Sequence, residues 1–155
     1  MPGACIANVI DYIDYCHFSN TVLNIIFLIG SNDSSNSPYI DYTRSQYNSL
    51  IEKCHLKFPN AVIKFVKLLP RKSNKVNSVI NRINNILYDV CKQYTNVIFL
   101  DHYALFYDFP AHFYKIHLYQ SSTHLNATGC RLLSAFIRNN LPKVQHHSGY
   151  YSRFF

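Results

Sequence analysis

Apolar residues recur every three or four positions in four segments of the chain, a spacing typical of amphipathic helices. The predicted helices cover about residues 5–17, 39–56, 76–94 and 126–141. The third has the most regular period, formed by Val79, Ile80, Ile83, Ile86, Leu87 and Val90. Pro59 and Pro142 follow the second and fourth helices, and proline ends a helix because it lacks a backbone N–H.

Three other segments are nearly continuous apolar runs, which is typical of strands buried on both faces. They cover residues 22–29, 61–69 and 96–101, and two lysines, Lys64 and Lys67, interrupt the second. Helices alternate with these strands, which predicts an α/β fold with a parallel sheet and helices on both faces. Residues 102–123 show no period and are predicted to form a long aromatic loop, which could line an acyl pocket or simply fold onto the sheet.

A chain of 155 residues fits one domain, predicted over residues 1–141, followed by a basic aromatic tail at 142–155. No apolar run approaches the ~20 residues of a membrane span, and the first residues lack the pattern of a signal peptide. The five cysteines are widely spaced and contain no Cys-x-x-Cys pair, so we expect reduced thiols and a cytoplasmic location. No cofactor is predicted.

Candidate chemistry follows the first strand and precedes the last helix. Gly30-Ser31-Asn32-Asp33 ends the run 22–29, and ligands of parallel sheets bind at the carboxyl ends of strands. An amide there can stabilise a developing oxyanion, and His124 can serve as a general base. Together they indicate acyl-ester chemistry. Two further histidines, His112 and His117, have no paired spacing or carboxylate, so no metal site is predicted.

These motifs resemble the short sequence blocks of the SGNH (GDSL-type) hydrolases, a flavodoxin-like α/β group of esterases and lipases. Gly30-Ser31-Asn32-Asp33 matches the Gly-x-Asn-Asp block, and His124-Leu125-Asn126 with Gly129 matches the histidine block. Pro2-Gly3-Ala4 before a helix resembles the glycine block. The resemblance spans about residues 2–141. Within the family, the chain is similar to esterase domains of transposable-element reading frames. It implies a three-layer α/β/α fold, with Gly3 and Asn32 as oxyanion donors and His124 as the general base.

The sequence departs from this family in two places. The family has aspartate three residues before the histidine, where this chain has Ser121; Asp101 and Asp108 are alternative orienting groups. No Gly-Asp-Ser block exists, so the family's first strands and its catalytic serine are missing from the sequence. The serines near the predicted site do not lie on a strand-to-helix elbow: Ser31, Ser34, Ser35, Ser121 and Ser122. An impaired esterase is therefore expected, with ester or acyl substrates if it is active.

Two alternatives to an esterase stay open on the sequence. The net charge of +7 favours anionic partners, with basic clusters at 64–75 and 143–153, so an inactive module that binds RNA or a protein is one alternative. The other is a non-functional relic of a mobile element. Without the family's first strand, the run 22–29 becomes an uncharged sheet edge, which predicts self-association or pairing with a partner strand.

Overall fold

The architecture is that of an α/β protein with a three-stranded parallel sheet. The computed structural model describes residues 3–17, 21–34, 40–108 and 113–142. The main elements are α1 (Ile6–Tyr15), β1 (Asn24–Phe27), α2 (Ile40–Lys57), β2 (Val62–Val66), α3 (Asn74–Cys91), β3 (Val97–Leu100) and, last, a helix at Ala127–Asn139. The predicted alternation of helices and strands is confirmed. The predicted tail lies outside the described residues.

The larger core lies between one face of the sheet and the first three helices. Alternate strand residues point to this face, because side chains alternate across a strand. Phe27, Ile63 and Phe65 are buried there, with the Phe27 and Phe65 rings stacked at 5.2 Å. The regular apolar period of α3 is buried against the same face, at Ile80, Ile83, Leu87 and Val90.

The last helix covers the opposite face of the sheet. Ile26, Val66 and Leu100 are buried there against Ile137 of that helix. Lys64 points to the same face and donates to the carbonyl of Asn140, so the lysine that interrupts the second run is held inside the protein. Burial lowers the pKa of Lys64. The two cores give the three layers that the sequence predicts.

The prediction of an irregular loop over 102–123 is wrong in part. This connection contains a short helix α4 (Tyr103–Phe106), a two-stranded antiparallel ribbon formed by β4 (Tyr107–Asp108) and β5 (Phe113–Tyr114), and a 3-10 turn at Ile116–Leu118. Two-residue strands are too short to show a period, so the sequence pattern does not reveal them. The helix at Ala127–Asn139, hereafter α5, follows this connection.

The strand β1 lies at one edge of the described sheet, whose order is β1-β2-β3. All pairing of β1 in that sheet is parallel and on its β2 side, from Asn24 opposite Val62 to Phe27 opposite Phe65. The strand carries no charged residue, and charge is one of the devices that protect edges from association. Self-association or capture of a partner strand at this edge stays a prediction.

Two expectations from composition can be compared with the structure. All five cysteines are free thiols, as predicted. Within the described ranges, no helix combines the length and apolar character that crossing a bilayer requires.

Candidate functional site

The 30–33 loop at the end of β1 is fixed by a close contact with helix α2. Gly30 has φ +115°, a conformation that residues with a Cβ rarely adopt. A Cβ built at Gly30 would lie 2.1 Å from the hydroxyl of Tyr47. That hydroxyl is buried and donates to the carbonyl of Ile29 at 2.8 Å. Burial raises the pKa of Tyr47 well above its usual range, so the phenol stays a donor. The glycine of this motif is therefore required by packing.

Asn32 reaches back to the segment that carries Gly3. Its side-chain amide donates to the carbonyl of Ala4 at 2.9 Å. Gly3 itself has φ +77° and is exposed, and a Cβ there would meet nothing within 4 Å. The fold thus brings two of the predicted site positions together, although they are far apart in sequence. One amide proton of Asn32 is bound to Ala4, which leaves the other for an oxyanion. The oxyanion role of Gly3 and Asn32 stays a prediction.

Asp33 caps the first helix of the chain. Both of its carboxylate oxygens lie 3.3 Å from the backbone nitrogen of Ile6, which donates to them at the N-terminus of α1. A carboxylate here also interacts favourably with the helix dipole. Burial nevertheless raises the pKa of Asp33, with the Ile6 hydrogen bond opposing that shift. The acidic residue of the motif therefore has a structural role.

A small cavity lies between the 30–33 loop and the start of α1. It measures about 110 Å³ and its lining is mainly apolar, formed by Ala4, Val9, Leu28, Ile29, Gly30, Ser31 and Asn32. A water molecule occupies about 30 Å³ of liquid, so this volume corresponds to three or four heavy atoms of a ligand. A short acyl group is of the right size for the cavity.

His124 lies in an exposed turn, residues 121–124, just before α5. Its Nδ1 is 3.0 Å from the hydroxyl of Ser121 and 3.0 Å from the hydroxyl of Thr123. Asn126 then caps α5 by accepting from the backbone nitrogen of Gly129 at 3.0 Å. A Cβ at Gly129 would lie 2.4 Å from the carbonyl of Leu118, which explains the glycine in this motif.

The bonds of Ser121 favour one of the two neutral forms of the His124 ring. The Ser121 oxygen accepts from the backbone nitrogens of His124 at 3.1 Å and Thr123 at 3.3 Å. A hydroxyl has two lone pairs and one proton, so after accepting two bonds it has only its proton to offer. Donation by Ser121 makes Nδ1 an acceptor and leaves the proton of the neutral ring on Nε2, the nitrogen that a general base would need unprotonated. The Thr123 hydroxyl, at the same distance from Nδ1, can donate to it or accept from it.

A short segment after β2 joins the two halves of the site. The guanidinium of Arg71 donates to Ser31, at 2.6 Å to the hydroxyl and 3.2 Å to the carbonyl. The next residue, Lys72, donates its backbone N–H to the carbonyl of Ser122 at 3.2 Å. Residues 71 and 72 thus contact both the 30–33 loop and the 121–124 turn. Sequence reasoning placed Arg71 in a basic cluster and did not predict this contact, since it joins residues forty positions apart.

One of the two alternative orienting groups has an ion-pair partner just after β2. Asp101 forms an ion pair with Lys67 at 3.1 Å. The side chain of Asp108 lies outside the described part of the structure. Within the described ranges no group of three or more metal-ligating side chains occurs, and His112 lies outside those ranges.

Two of the candidate serines near the site are bound to other groups. The Ser31 hydroxyl is bound by Arg71, and the Ser34 hydroxyl is buried and donates to the Ser31 carbonyl at 2.6 Å. Cys5 lies at the start of α1, where burial and the charge of Asp33 raise its pKa, so it is held as a thiol. Ser122 is exposed, and Ser35 lies outside the described residues.

His102, at the end of β3, is a buried histidine that sequence reasoning missed. Its Nε2 lies 2.6 Å from the carbonyl of Lys67, and a carbonyl can only accept, so Nε2 carries the proton. Its Nδ1 is buried without a hydrogen-bond partner among the described residues. The ring packs edge-on against Phe106 at 4.9 Å and Phe136 at 6.0 Å. Burial lowers the pKa of His102, which keeps the ring neutral.

Comparisons with known proteins bear on the fold. No protein-family model and no curated protein matches the sequence. Solved structures do match. A protein of Streptococcus pneumonia named after platelet activating factor superposes with a TM-score of 0.79 at 20% identity, over 88% of this chain and 68% of that one. A GDSL-like lipase from Bacteroides thetaiotaomicron superposes with a TM-score of 0.69 at 14% identity, over 88% of this chain and 70% of that one.

A third similar structure is the OSK domain of Drosophila Oskar, with a TM-score of 0.72 at 15% identity, over 91% of this chain and 72% of that domain. At such identities the likeness concerns the backbone and not the chemistry. The matches agree with the parallel sheet and the order of helices described above. The chain therefore has the SGNH-hydrolase-like α/β fold.

Proposed function

We propose that this chain is an SGNH-esterase-like module that is impaired in ester hydrolysis. The fold, the acyl-sized cavity beside Asn32 and the position of His124 before the last helix support an esterase-like site. The observation that carries the impairment is the hydrogen bonding of Ser121. Because its oxygen already accepts two backbone N–H bonds, it donates to Nδ1 of His124 and favours the proton on Nε2.

The cost of that tautomer is large in the enzymes where it has been measured. In a serine protease, replacing the orienting aspartate by a neutral group lowers kcat about 10⁴-fold. Serine also supplies no negative charge to stabilise an imidazolium during the reaction. An impairment of similar size is therefore expected here, in addition to the effect of an absent Gly-Asp-Ser block.

The experiment compares the wild type with Ser121→Asp and with Ser122→Asp, its exposed neighbour. The measurements are ¹⁵N chemical shifts of the His124 ring and hydrolysis of a short chromogenic ester. We expect the Nε2–H form in the wild type and in Ser122→Asp, and the Nδ1–H form in Ser121→Asp, because a carboxylate can only accept.

Wild-type hydrolysis is expected to match that of His124→Ala. Turnover by the wild type that disappears in His124→Ala would refute the impairment. An Nδ1–H ring in the wild type would remove its physical basis, whatever the activity.

The alternative, an inactive module that binds nucleic acid, has less support in the arrangement of its charges. Of the basic cluster at 64–75, Lys64, Lys67 and Arg71 are each bound to another part of the protein. Lys72 and Lys75 are exposed. The net charge of +7 still favours anionic partners, so binding of RNA stays a prediction, as does kinship with transposable-element esterases.

A further inference from the structure

The guanidinium of Arg71 is a partly buried cation that contacts the cavity wall through Ser31 and is not itself part of the lining. One of its nitrogens, Nη2, makes both bonds to Ser31, and Ser31 lines the cavity of about 110 Å³. A guanidinium has five N–H donors in a planar fork. The bonds to Ser31 use one end of that fork, which leaves donors for a second acceptor.

The backbone of Arg71 is held on both sides by one asparagine. The side chain of Asn77 accepts from the Arg71 nitrogen at 2.7 Å and donates to the Arg71 carbonyl at 2.6 Å. Just before it, the carbonyl of Pro70 accepts from the buried hydroxyl of Tyr119 at 2.7 Å. The arginine therefore projects from a fixed point, and little freedom would be lost when a ligand binds.

No acidic group neutralises this cation in the described part of the chain. The ion pairs found there are Arg44–Asp89, Lys53–Asp14 and Lys67–Asp101. Asp33, on the same loop as Ser31, is bound to the N-terminus of α1. The first turn of α3, which follows Arg71, contains no acidic residue and carries the exposed Lys75. The cation beside Ser31 thus has no carboxylate partner among the described residues.

We propose that Arg71 makes this site selective for a small ligand that joins a short acyl group to a carboxylate, as in a half-ester of a dicarboxylic acid. The inference rests on the proposed esterase-like site and adds its ligand class. The acyl group occupies the cavity, and the carboxylate accepts from the free end of the guanidinium. Charge-assisted bonds of this kind are about twice as strong as neutral ones.

The test is an NMR titration of the full chain with two matched esters. Monomethyl succinate carries a carboxylate at neutral pH, whereas dimethyl succinate does not. The shifts of the Ser31 and Asn32 amides report binding, and the methanol signal in the same spectra reports hydrolysis. We expect the wild type to bind the monoester about 10-fold more tightly, which is typical of one charged hydrogen bond.

Arg71→Gln is expected to abolish this preference, and Arg44→Gln to leave it unchanged, because Arg44 lies on α2 in a surface pair with Asp89. Equal affinities for the two esters in the wild type would overturn the inference, as would a preference that survives in Arg71→Gln. An RNA oligonucleotide that binds through Arg71 while the monoester does not bind would overturn the small-ligand assignment.

A second measurement covers the case in which Arg71→Gln fails to fold. In the wild type the preference is expected to shrink as NaCl rises from about 50 to about 500 mM, because salt screens a charge that ligands reach from solvent. A preference independent of salt would refute the inference. Methanol release by the wild type would count against the proposed impairment only, so the two proposals fail separately.

Discussion

The two halves of the candidate site are built in different ways. The 30–33 loop is held by contacts with distant parts of the chain: Tyr47 lies against Gly30, Asn32 binds Ala4, and Asp33 caps α1. The 121–124 turn is exposed, and the bonds of His124 described above go to its neighbours Ser121 and Thr123. One half is fixed by the core of the protein, and the other by its own local hydrogen bonds together with the bond from Lys72 to Ser122.

This difference predicts that substitutions in the two halves have unequal effects on the fold. A change in the 30–33 loop disturbs the packing of α1, α2 and β1 at once. A serine at position 121 costs little, because it satisfies the backbone of its own turn and still contacts the imidazole. A serine at position 121 is therefore compatible with a stable turn.

The largest effect is expected from Gly30→Ala. The new Cβ would lie 2.1 Å from the Tyr47 hydroxyl at a φ of +115°, so both overpacking and backbone strain apply. Together these lower the free energy of unfolding by about 2–5 kcal/mol. The matched control is Gly3→Ala, which also has a positive φ but open space, and which should cost about 1 kcal/mol. Equal losses for both variants in urea denaturation would contradict the role given to Tyr47.

A smaller loss is expected from Tyr47→Phe. This variant keeps the ring and removes the buried hydrogen bond to the Ile29 carbonyl, which costs about 1–2 kcal/mol. Tyr42→Phe is the control, because Tyr42 is 61% exposed on the same helix and its hydroxyl loss should cost about 0.5 kcal/mol or less. Thermal or urea unfolding distinguishes the two variants. If Tyr47→Phe left the free energy of unfolding unchanged, the loop would not depend on this bond.

The smallest effect is a pH dependence carried by Asp33. Its folded pKa is raised above the ordinary value of 3.8, so the folded protein holds this proton more tightly than the unfolded chain does. The group therefore reduces stability as pH rises from 3.8 through the folded pKa, and its contribution is constant above that value. Asp33→Asn should remove this step, and its stability relative to the wild type should be higher at pH 7 than at pH 4.

The control for this pH series is Asp11→Asn, which changes an exposed carboxylate on the helix that Asp33 caps. The measurement is the free energy of unfolding across the pH range for the three proteins. If Asp33→Asn were relatively more stable at pH 4 than at pH 7, burial would not be the dominant influence on Asp33.

The sequence predicts those parts of the fold that repeat with a period. The apolar positions of α3 and the strand at Val62–Val66 follow from side-chain periodicity. Two of the three motif glycines, Gly30 and Gly129, lie where packing requires them. The contacts of Arg71 and His102 could not be predicted, because each depends on a partner brought near by the fold. The tautomer of His124 required the backbone bonds of Ser121, which no residue pattern records.

The buried ring of His102 has a consequence for spectroscopy. Its Nε2 proton is bonded to the Lys67 carbonyl and enclosed by Phe106 and Phe136, so it exchanges slowly with solvent. Histidine ring protons in water usually exchange too fast to be observed. This one should give a distinct low-field resonance, and that resonance would report whether the connection after β3 is seated in any variant of the protein.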